Sequence, residues 1–540
     1  MTEKPVVLMP EDIQRIMGKD AQRNNILAAK MVAEIVKTTL GPKGMDKMLV
    51  SPVNDIIVTN DGVTILNEMQ IEHPAAKMMV DLSKTQDSAV GDGTTTVVMI
   101  AGKLLENAEK LLDKKIHPTI ITKGYRLAAQ KVQEILNEIS LKIPSEDEEV
   151  LKQIAMTAMT GKGAEGFKEK FADIIVTAIK QVQNNGNVDL NDIKIEKSKG
   201  EGIEDTELIS GIVLDKEKIS VDMPNFVNDA KIALIDFPLE LKNPEIDTKI
   251  SVSSPEQLQS FINQEEKTIK EMVEKIKMSG ANVIFCQKGV DDFAQYLLSK
   301  DEIYVCRRVA KSDMERISKA IGGKIVSNLN ELTPFELGNA RIVEEIKNND
   351  EIFTYIKGCQ NPKALTILIR GGTEHVIDEI ERAIKDGLGV VISSLKTGLV
   401  VPGGGAIEIE LARRLRHFGQ SLSGREQLAI EEFADALEFI PITLAENAGM
   451  DPIDILTELR SRHDSGEKNA GLNLFNNQIE NVLEAKIIEP YKIKNQAINS
   501  ASEVAIMILR IDDVIASTGE KGGGMGNLGG MPPGMMSGGY

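Results

Sequence analysis

Cysteine is scarce in this chain. The three present, Cys286, Cys306 and Cys359, lie far apart, with no CxxC spacing and no paired histidines beside them. That excludes a disulfide framework and a structural zinc site, and it leads us to expect reduced, buried thiols, as in a cytoplasmic protein. No run of about 18 apolar residues occurs, so no membrane-spanning helix is expected. The opening Met1-Thr2-Glu3-Lys4-Pro5 has no apolar signal region. Positive charge is also short. The 63 Lys and Arg face 82 Asp and Glu, and the net charge of −19 argues against nucleic acid as a partner. Tryptophan is absent and aromatics reach only 4%, yet 42% hydrophobic and 27% charged residues are ordinary for a soluble globular protein. At 540 residues the chain is too long for one core, and about two to four domains are expected. No GxxxxGK[ST] stretch is present, which argues against a P-loop nucleotidase. The five histidines (His73, His117, His375, His417, His463) are scattered.

What is present is a set of glycine-flanked motifs, the richest being Gly91-Asp92-Gly93-Thr94-Thr95-Thr96. Val97, Val98, Ala101, Leu104, Leu105, Ala108, Leu111 and Leu112 recur at helical spacing behind it, which predicts a helix from Thr94 to about Lys114 with Thr94 or Thr95 as N-cap. A helix start behind glycine presents unpaired N–H groups and the positive end of the macrodipole, a setting for phosphate. Asp92 would repel a bare phosphate, so its presence there points to an intervening cation, most naturally Mg. A capped turn without ligand is the plainer reading. Four more loops have similar character: Leu40-Gly41-Pro42-Lys43-Gly44, Thr59-Asn60-Asp61-Gly62, Thr160-Gly161-Lys162-Gly163 and Gly403-Gly404-Gly405. Gly161 to Gly166 satisfies GxGxxG, but it follows a helical stretch rather than a strand, so the dinucleotide-binding context is missing.

Along the chain, the first 140 residues read as mainly helical. Asp20 to Leu40 ends at Gly41-Pro42, and two more helices are expected near 75–89 and 119–140. Ile56-Ile57-Val58, Asn60-Asp61-Gly62 and Val63-Thr64-Ile65-Leu66 read as a hairpin. From about 188 to 370 short apolar runs (Ile232–Ile235, Val283–Phe285, Leu365–Ile369) alternate with helices in an α/β pattern. Within it, Ser254-Pro255-Glu256-Gln257 opens a long amphipathic helix with Leu258, Phe261, Ile262, Ile269, Met272, Val273 and Ile276 on one stripe and Gly280 at its end. Beyond about 405 the chain turns helical again, with Glu431–Leu437 leading to Pro441 and a helix from about 494 to 515. From Gly519 the sequence is nearly all Gly, Met, Pro and Ser and is expected to be disordered.

Taken together, Thr39–Leu49, Thr59–Leu66, Gly91–Thr96, Thr160–Gly163, Val401–Gly405 and Ala445-Glu446-Asn447-Ala448-Gly449 resemble the chaperonins, in order and over essentially the whole chain. The resemblance is closest to the group II chaperonins of the archaeal thermosome kind. It implies a multidomain α+β and α/β fold: a helical equatorial ATP-binding domain from 1–145 and 405–520, a split intermediate domain from 146–215 and 370–404, and an α/β apical domain from 216–369. The apical domain would carry a helical lid protrusion at about 240–280, and 521–540 would be the tail. The implied cofactors are ATP and Mg. Leu40, Gly41 and Pro42 would touch the phosphates, Asp92 would bind Mg, and Gly93, Thr94, Thr95 and Thr96 would form the phosphate turn. Gly404 and Glu489 would face the nucleoside. Asp386 would orient the attacking water with Asp61 as its partner, and Lys162, following Gly161, would sense the γ-phosphate. The implied activity is ATP hydrolysis that drives the folding of non-native polypeptides in a chamber. That chamber would be built by self-assembly into two stacked eight-membered rings, homomeric or of paralogous subunits, with no separate co-chaperonin cap. Gly387, after Asp386, stands where the family commonly has alanine, which implies a slightly softer helix. The competing readings are a small-molecule ATP-using enzyme such as a kinase, and a ring scaffold with vestigial ATPase activity.

Overall fold

The computed structural model describes residues 13–51, 54–143, 147–184, 187–240, 255–348, 351–360 and 362–517. The Ser254 cap, the stretch 241–254 of the expected protrusion and the Gly/Met tail lie outside the described residues.

Helices from both halves of the sequence share the largest core. Pro74–Val90, Thr94–Asp113 and Pro118–Ile139 pack with Ala406–Gln420, Glu426–Asn447 and Tyr491–Leu509. Thr94–Asp113 runs through the middle and buries Val97, Val98, Ala101, Leu104, Leu105, Ala108 and Leu111, so the expected stripe became the contact face. Pro74–Val90 starts on His73, whose Nδ1 accepts the Ala75 N–H, and stops at Gly91 in the left-handed region.

A second core forms where Glu148–Met159, Lys168–Val182 and Glu374–Thr397 pack together and cover a sheet ordered Ile193–Lys199, Leu365–Gly371, Glu207–Ile209. Glu374–Thr397 is long enough to reach the first core. Its Gly389 meets Gly91 so closely that a Cβ on either would lie 3.1 Å from the other's Cα.

The middle of the chain forms a seven-stranded mixed sheet. Tyr304–Cys306, Val283–Cys286 and Phe226–Ile235 run parallel, with Ile325–Val326 also parallel beside the last of these, while Gly338–Asn348, Glu351–Cys359 and Gly211–Leu214 continue it antiparallel. Successive residues of the central strand serve opposite faces: Ile232 and Leu234 join one core, Ala233 and Ile235 the other. Pro255–Ser279 has 25 residues, and its Ile269, Val273 and Ile276 are buried in the second of these cores.

Four expectations need correction. The hairpin is Lys47–Val50 with Ile56–Thr59, one element earlier than expected. Residues Gly62–Glu68 are helical because the Asp61 carboxylate accepts the N–H groups of Val63 and Thr64; the acidic turn signal was a helix cap. The N-cap of Thr94–Asp113 is Gly93, not a threonine. The last helix stops at Leu509, and Asp513–Ser517 is a strand paired with Ile13–Met17. Pro441 lies inside Glu426–Asn447 rather than at its end. The cysteines are all free; Cys286 and Cys306 are buried, whereas Cys359 is half-buried.

Candidate functional site

A cavity of about 530 Å³ opens between the first and second cores, a size suited to a nucleotide. Its floor is the loop after Lys19–Lys37. Asn447 Nδ2 donates to the carbonyl oxygens of Lys37 and Leu40 at 3.1 and 2.9 Å, and Lys37 pairs with Glu446 at 2.8 Å. The Ala-Glu-Asn-Ala-Gly motif thus pins Leu40, Gly41 and Pro42 across the core.

One wall is the start of Thr94–Asp113. No side chain caps it, and Gly93, Thr94, Thr95 and Thr96 face the cavity with their first-turn N–H groups at the positive end of a 20-residue helix. Asp92 precedes them, its Oδ1 accepting the Gly93 N–H at 2.8 Å. Buried Gln86 fixes this turn by donating from Nε2 to the Asp92 carbonyl at 2.9 Å. Asp61 sits opposite. It is occupied as a cap, also accepting from Thr64 Oγ1 at 2.7 Å and Thr94 Oγ1 at 3.0 Å.

The roof is Thr160–Gly163. Gly161 has φ +78, and a Cβ there would lie 2.6 Å from Pro42 Cα, so only glycine lets this loop rest on the floor. Asn60 Nδ2 donates to the Gly161 carbonyl at 2.7 Å. Lys162 Nζ then reaches Asp386 at 2.5 Å and Asp92 at 3.7 Å. Burial opposes the Lys162 charge, but Asp386, Asp92 and Asp61 overcome it and hold the ammonium well above the usual lysine range. Burial pushes the Asp386 carboxyl up to about 7; Lys162 opposes this, and Asp92 and Asp61 reinforce it. Asp386 does not line the cavity but stands behind Lys162, halfway along Glu374–Thr397. It is therefore a half-buried, paired carboxylate rather than a solvated one.

At the far end lie Gly404 and Glu489. Glu489 is on the strand Ile488–Pro490, opposite Val401 in the antiparallel pairing that leads into Gly403-Gly404-Gly405. Its Oε2 meets Lys494 Nζ at 2.8 Å, and that same ammonium lies 2.7 Å from Glu408 Oε1. Burial pushes the Glu489 carboxyl up against the pull of Lys494, with Glu408 and Asp92 adding to the rise.

All the site residues expected from the sequence except Asp386 share this one cavity wall. Sequence reading missed Gln86, Lys494 and Glu408, and it singled out the loop containing Asn60 without giving that side chain a role. Glu408 alone carried a signal, a carboxylate between two isoleucines at a helix start; Gln86 and Lys494 stand beside other polar residues of their helices.

The TCP-1/cpn60 chaperonin family matches residues 32–518. The chain belongs to that family. It is 55% identical to the thermosome subunit beta of Archaeoglobus fulgidus over 534 residues, covering 98% of both chains. It is also 55% identical to the thermosome subunit of Methanopyrus kandleri over 518 residues, 95% of each chain. The Archaeoglobus fulgidus subunit alpha is 54% identical over 525 residues, 96% of both chains, so the two paralogues resemble this chaperonin almost equally. It is a group II chaperonin, an ATP-dependent molecular chaperone, and the small-molecule kinase reading is set aside.

Proposed function

We propose that this chaperonin binds ATP in the cavity between its first two cores and hydrolyses it with Asp386. The observation that carries this reading is the convergence of five sequence-distant loops on one cavity, with Asp386 held 2.5 Å from Lys162. The phosphates would lie on the N–H groups of Gly93–Thr96 and against Gly41-Pro42, with the nucleoside toward Gly404 and Glu489. Among the described residues no three His, Cys, Asp or Glu side chains could hold a metal by themselves. That donor set suits Mg, which commonly takes one or two carboxylates and completes its shell with phosphate oxygens and water. Asp92, about a third exposed, would hold it. When bound, Mg neutralises charge on the phosphates. Asp386 would accept a proton from the attacking water, Asp61 would help orient that water, and Lys162 would exchange its aspartate partners for the γ-phosphate. Phosphoryl transfer asks for this kind of positioning more than for covalent chemistry.

The three groups of cores support a division into equatorial (1–145, 405–520), intermediate (146–215, 370–404) and apical (216–369) domains, with Pro255–Ser279 in the lid protrusion. Asp386 and Asp92 would then belong to different domains, so hydrolysis would wait for closure. The assembly would be two stacked eight-membered rings enclosing non-native polypeptides in the cytoplasm, without a separate cap.

Asp386→Ala tests the division of labour. It is expected to bind ATP like the parent while hydrolysis falls by at least about 100-fold. Asp92→Ala is expected to lose Mg-dependent ATP binding. Hydrolysis that survives Asp386→Ala would remove that residue from the mechanism.

A further inference from the structure

Lys494 is an unusual lysine. It is nearly buried and lies between two carboxylates, one of which, Glu408, is 1% exposed. Glu408 Oε1 is met by the Lys494 ammonium at 2.7 Å, and Oε2 is buried with no hydrogen-bond partner among the described residues. A buried, incompletely satisfied carboxylate costs stability unless its position serves something. Its position follows from one stretch of backbone. The strand Leu399–Pro402 pairs with Ile488–Pro490, setting Val401 opposite Glu489. It then turns through Gly403–Gly405 into Ala406–Gln420, whose first turn carries Glu408. Gly403 leaves the room required: a Cβ there would lie 2.9 Å from Glu489 Oε1. The three charges sum to −1, and only Lys494 and Glu489 face the cavity.

We propose that Glu408 and Lys494 are positioning residues that set the specificity of this ATPase for the ribose. This rests on the reading that Glu489 faces the nucleoside. Glu408 anchors the ammonium from behind. The ammonium holds one oxygen of Glu489, Oε2, and leaves Oε1, which lies toward Gly403, to accept a hydrogen bond from a sugar hydroxyl. Lys494 also opposes the upward push that burial, Glu408 and Asp92 exert on the Glu489 carboxyl. A strong acceptor aimed at a hydroxyl rejects the analogue that lacks it, because the acceptor is then left unpaired. The ligand class selected is thus a ribonucleoside triphosphate over its deoxy forms.

The test compares ATP with 2′-deoxy-ATP and 3′-deoxy-ATP as substrates of the full-length assembled protein. For Glu408→Gln, which keeps the shape and removes the anchor charge, KM for ATP should rise about tenfold with kcat held within about twofold. Discrimination against the deoxy nucleotide that the parent rejects should fall by the same factor. Lys494→Met should do the same and more. Should that variant fail to fold, Glu408→Gln carries the test, with circular dichroism and ring integrity checked beside it. A purely structural pair would lower the amount of active protein without altering the ribose ratio. The proposal is overturned if Glu489→Gln loses ribose discrimination while Glu408→Gln and Lys494→Met retain the parental ratio. If Glu489→Gln itself keeps the ratio, the nucleoside reading of that end fails, and the proposal fails with it.

Discussion

Asp386 illustrates how a single side chain acquires its chemistry from its surroundings. On sequence it is one carboxylate in a charged helix; in the fold it is half-buried against Lys162 and faces the field of two other aspartates. A group meant to take a proton from water works best when its pKa lies near the working pH. Burial raises the Asp386 carboxyl to about 7, so on the proposed mechanism it would become competent as a base only as pH rises through that value. The sign is fixed: kcat/KM for ATP should fall about tenfold per unit as pH drops below about 7, since this ratio reports the free enzyme. A limb near the ordinary aspartate value of about 4 would show that Lys162 dominates over burial. Gly387 beside it allows closer packing as well as softening the helix. A Cβ there would lie 2.7 Å from Ile175 Cδ1, so here the helix gains close contact with Lys168–Val182.

At the scale of elements, much was legible because the signals are local. The stripe behind Gly91–Thr96 placed its helix within a residue, and Gly41-Pro42 sat in the loop just past its helix. Asn60-Asp61-Gly62 misled because an aspartate before glycine serves a hairpin turn and a helix cap equally well; the tertiary bond from Thr94 favours the cap. Pro441 misled differently. A proline removes a helical hydrogen bond, yet Glu426–Asn447 continues because it is buried on most sides. What sequence could not give is long-range charge pairing. Glu438, 2% exposed, accepts from Arg416 at 2.6 Å and from Arg460 Nε at 2.9 Å, joining three helices. Burial alone would raise its pKa, but the two guanidiniums lower it overall. The stabilisation is therefore present above the unfolded value of about 4.3 and is lost as pH falls through the lower folded value. Glu438→Gln is expected to cost about 2 kcal/mol, reduced from the usual buried-pair figure because both arginines are partly exposed. Urea unfolding at neutral pH and again near pH 3 measures it. A difference that stays the same in acid would show that shape, not charge, accounts for the loss.

At the scale of the whole molecule, two small sheets are incomplete as they stand. Lys47–Val50 with Ile56–Thr59 exposes Met48, Val50 and Ile56, and Ile13–Met17 with Asp513–Ser517 exposes Met17 and Ile515. A two-stranded ribbon is marginal in water, and its free edges invite another strand. Joining one copy's hairpin to the next copy's terminal strands would bury both apolar sets in one larger sheet. Such a contact is head-to-tail, so it generates a ring wherever the rotation closes. The same arrangement would tie the loop carrying Asp61, directly after Thr59, to a neighbouring subunit, so that assembly and the ATP site share a strand. Replacing Met48 and Val50 together by aspartate places two charges where that contact would be dry. The variant is expected to lose ring particles in electron microscopy and to elute as a monomer. It should still bind ATP, since the cavity is built from one chain. ATP hydrolysis should weaken with the loss of the ring, because the hairpin no longer steadies Asp61. Intact double rings from this variant would show that the subunits meet elsewhere. Monomers with unchanged hydrolysis would sever the proposed link between assembly and the site.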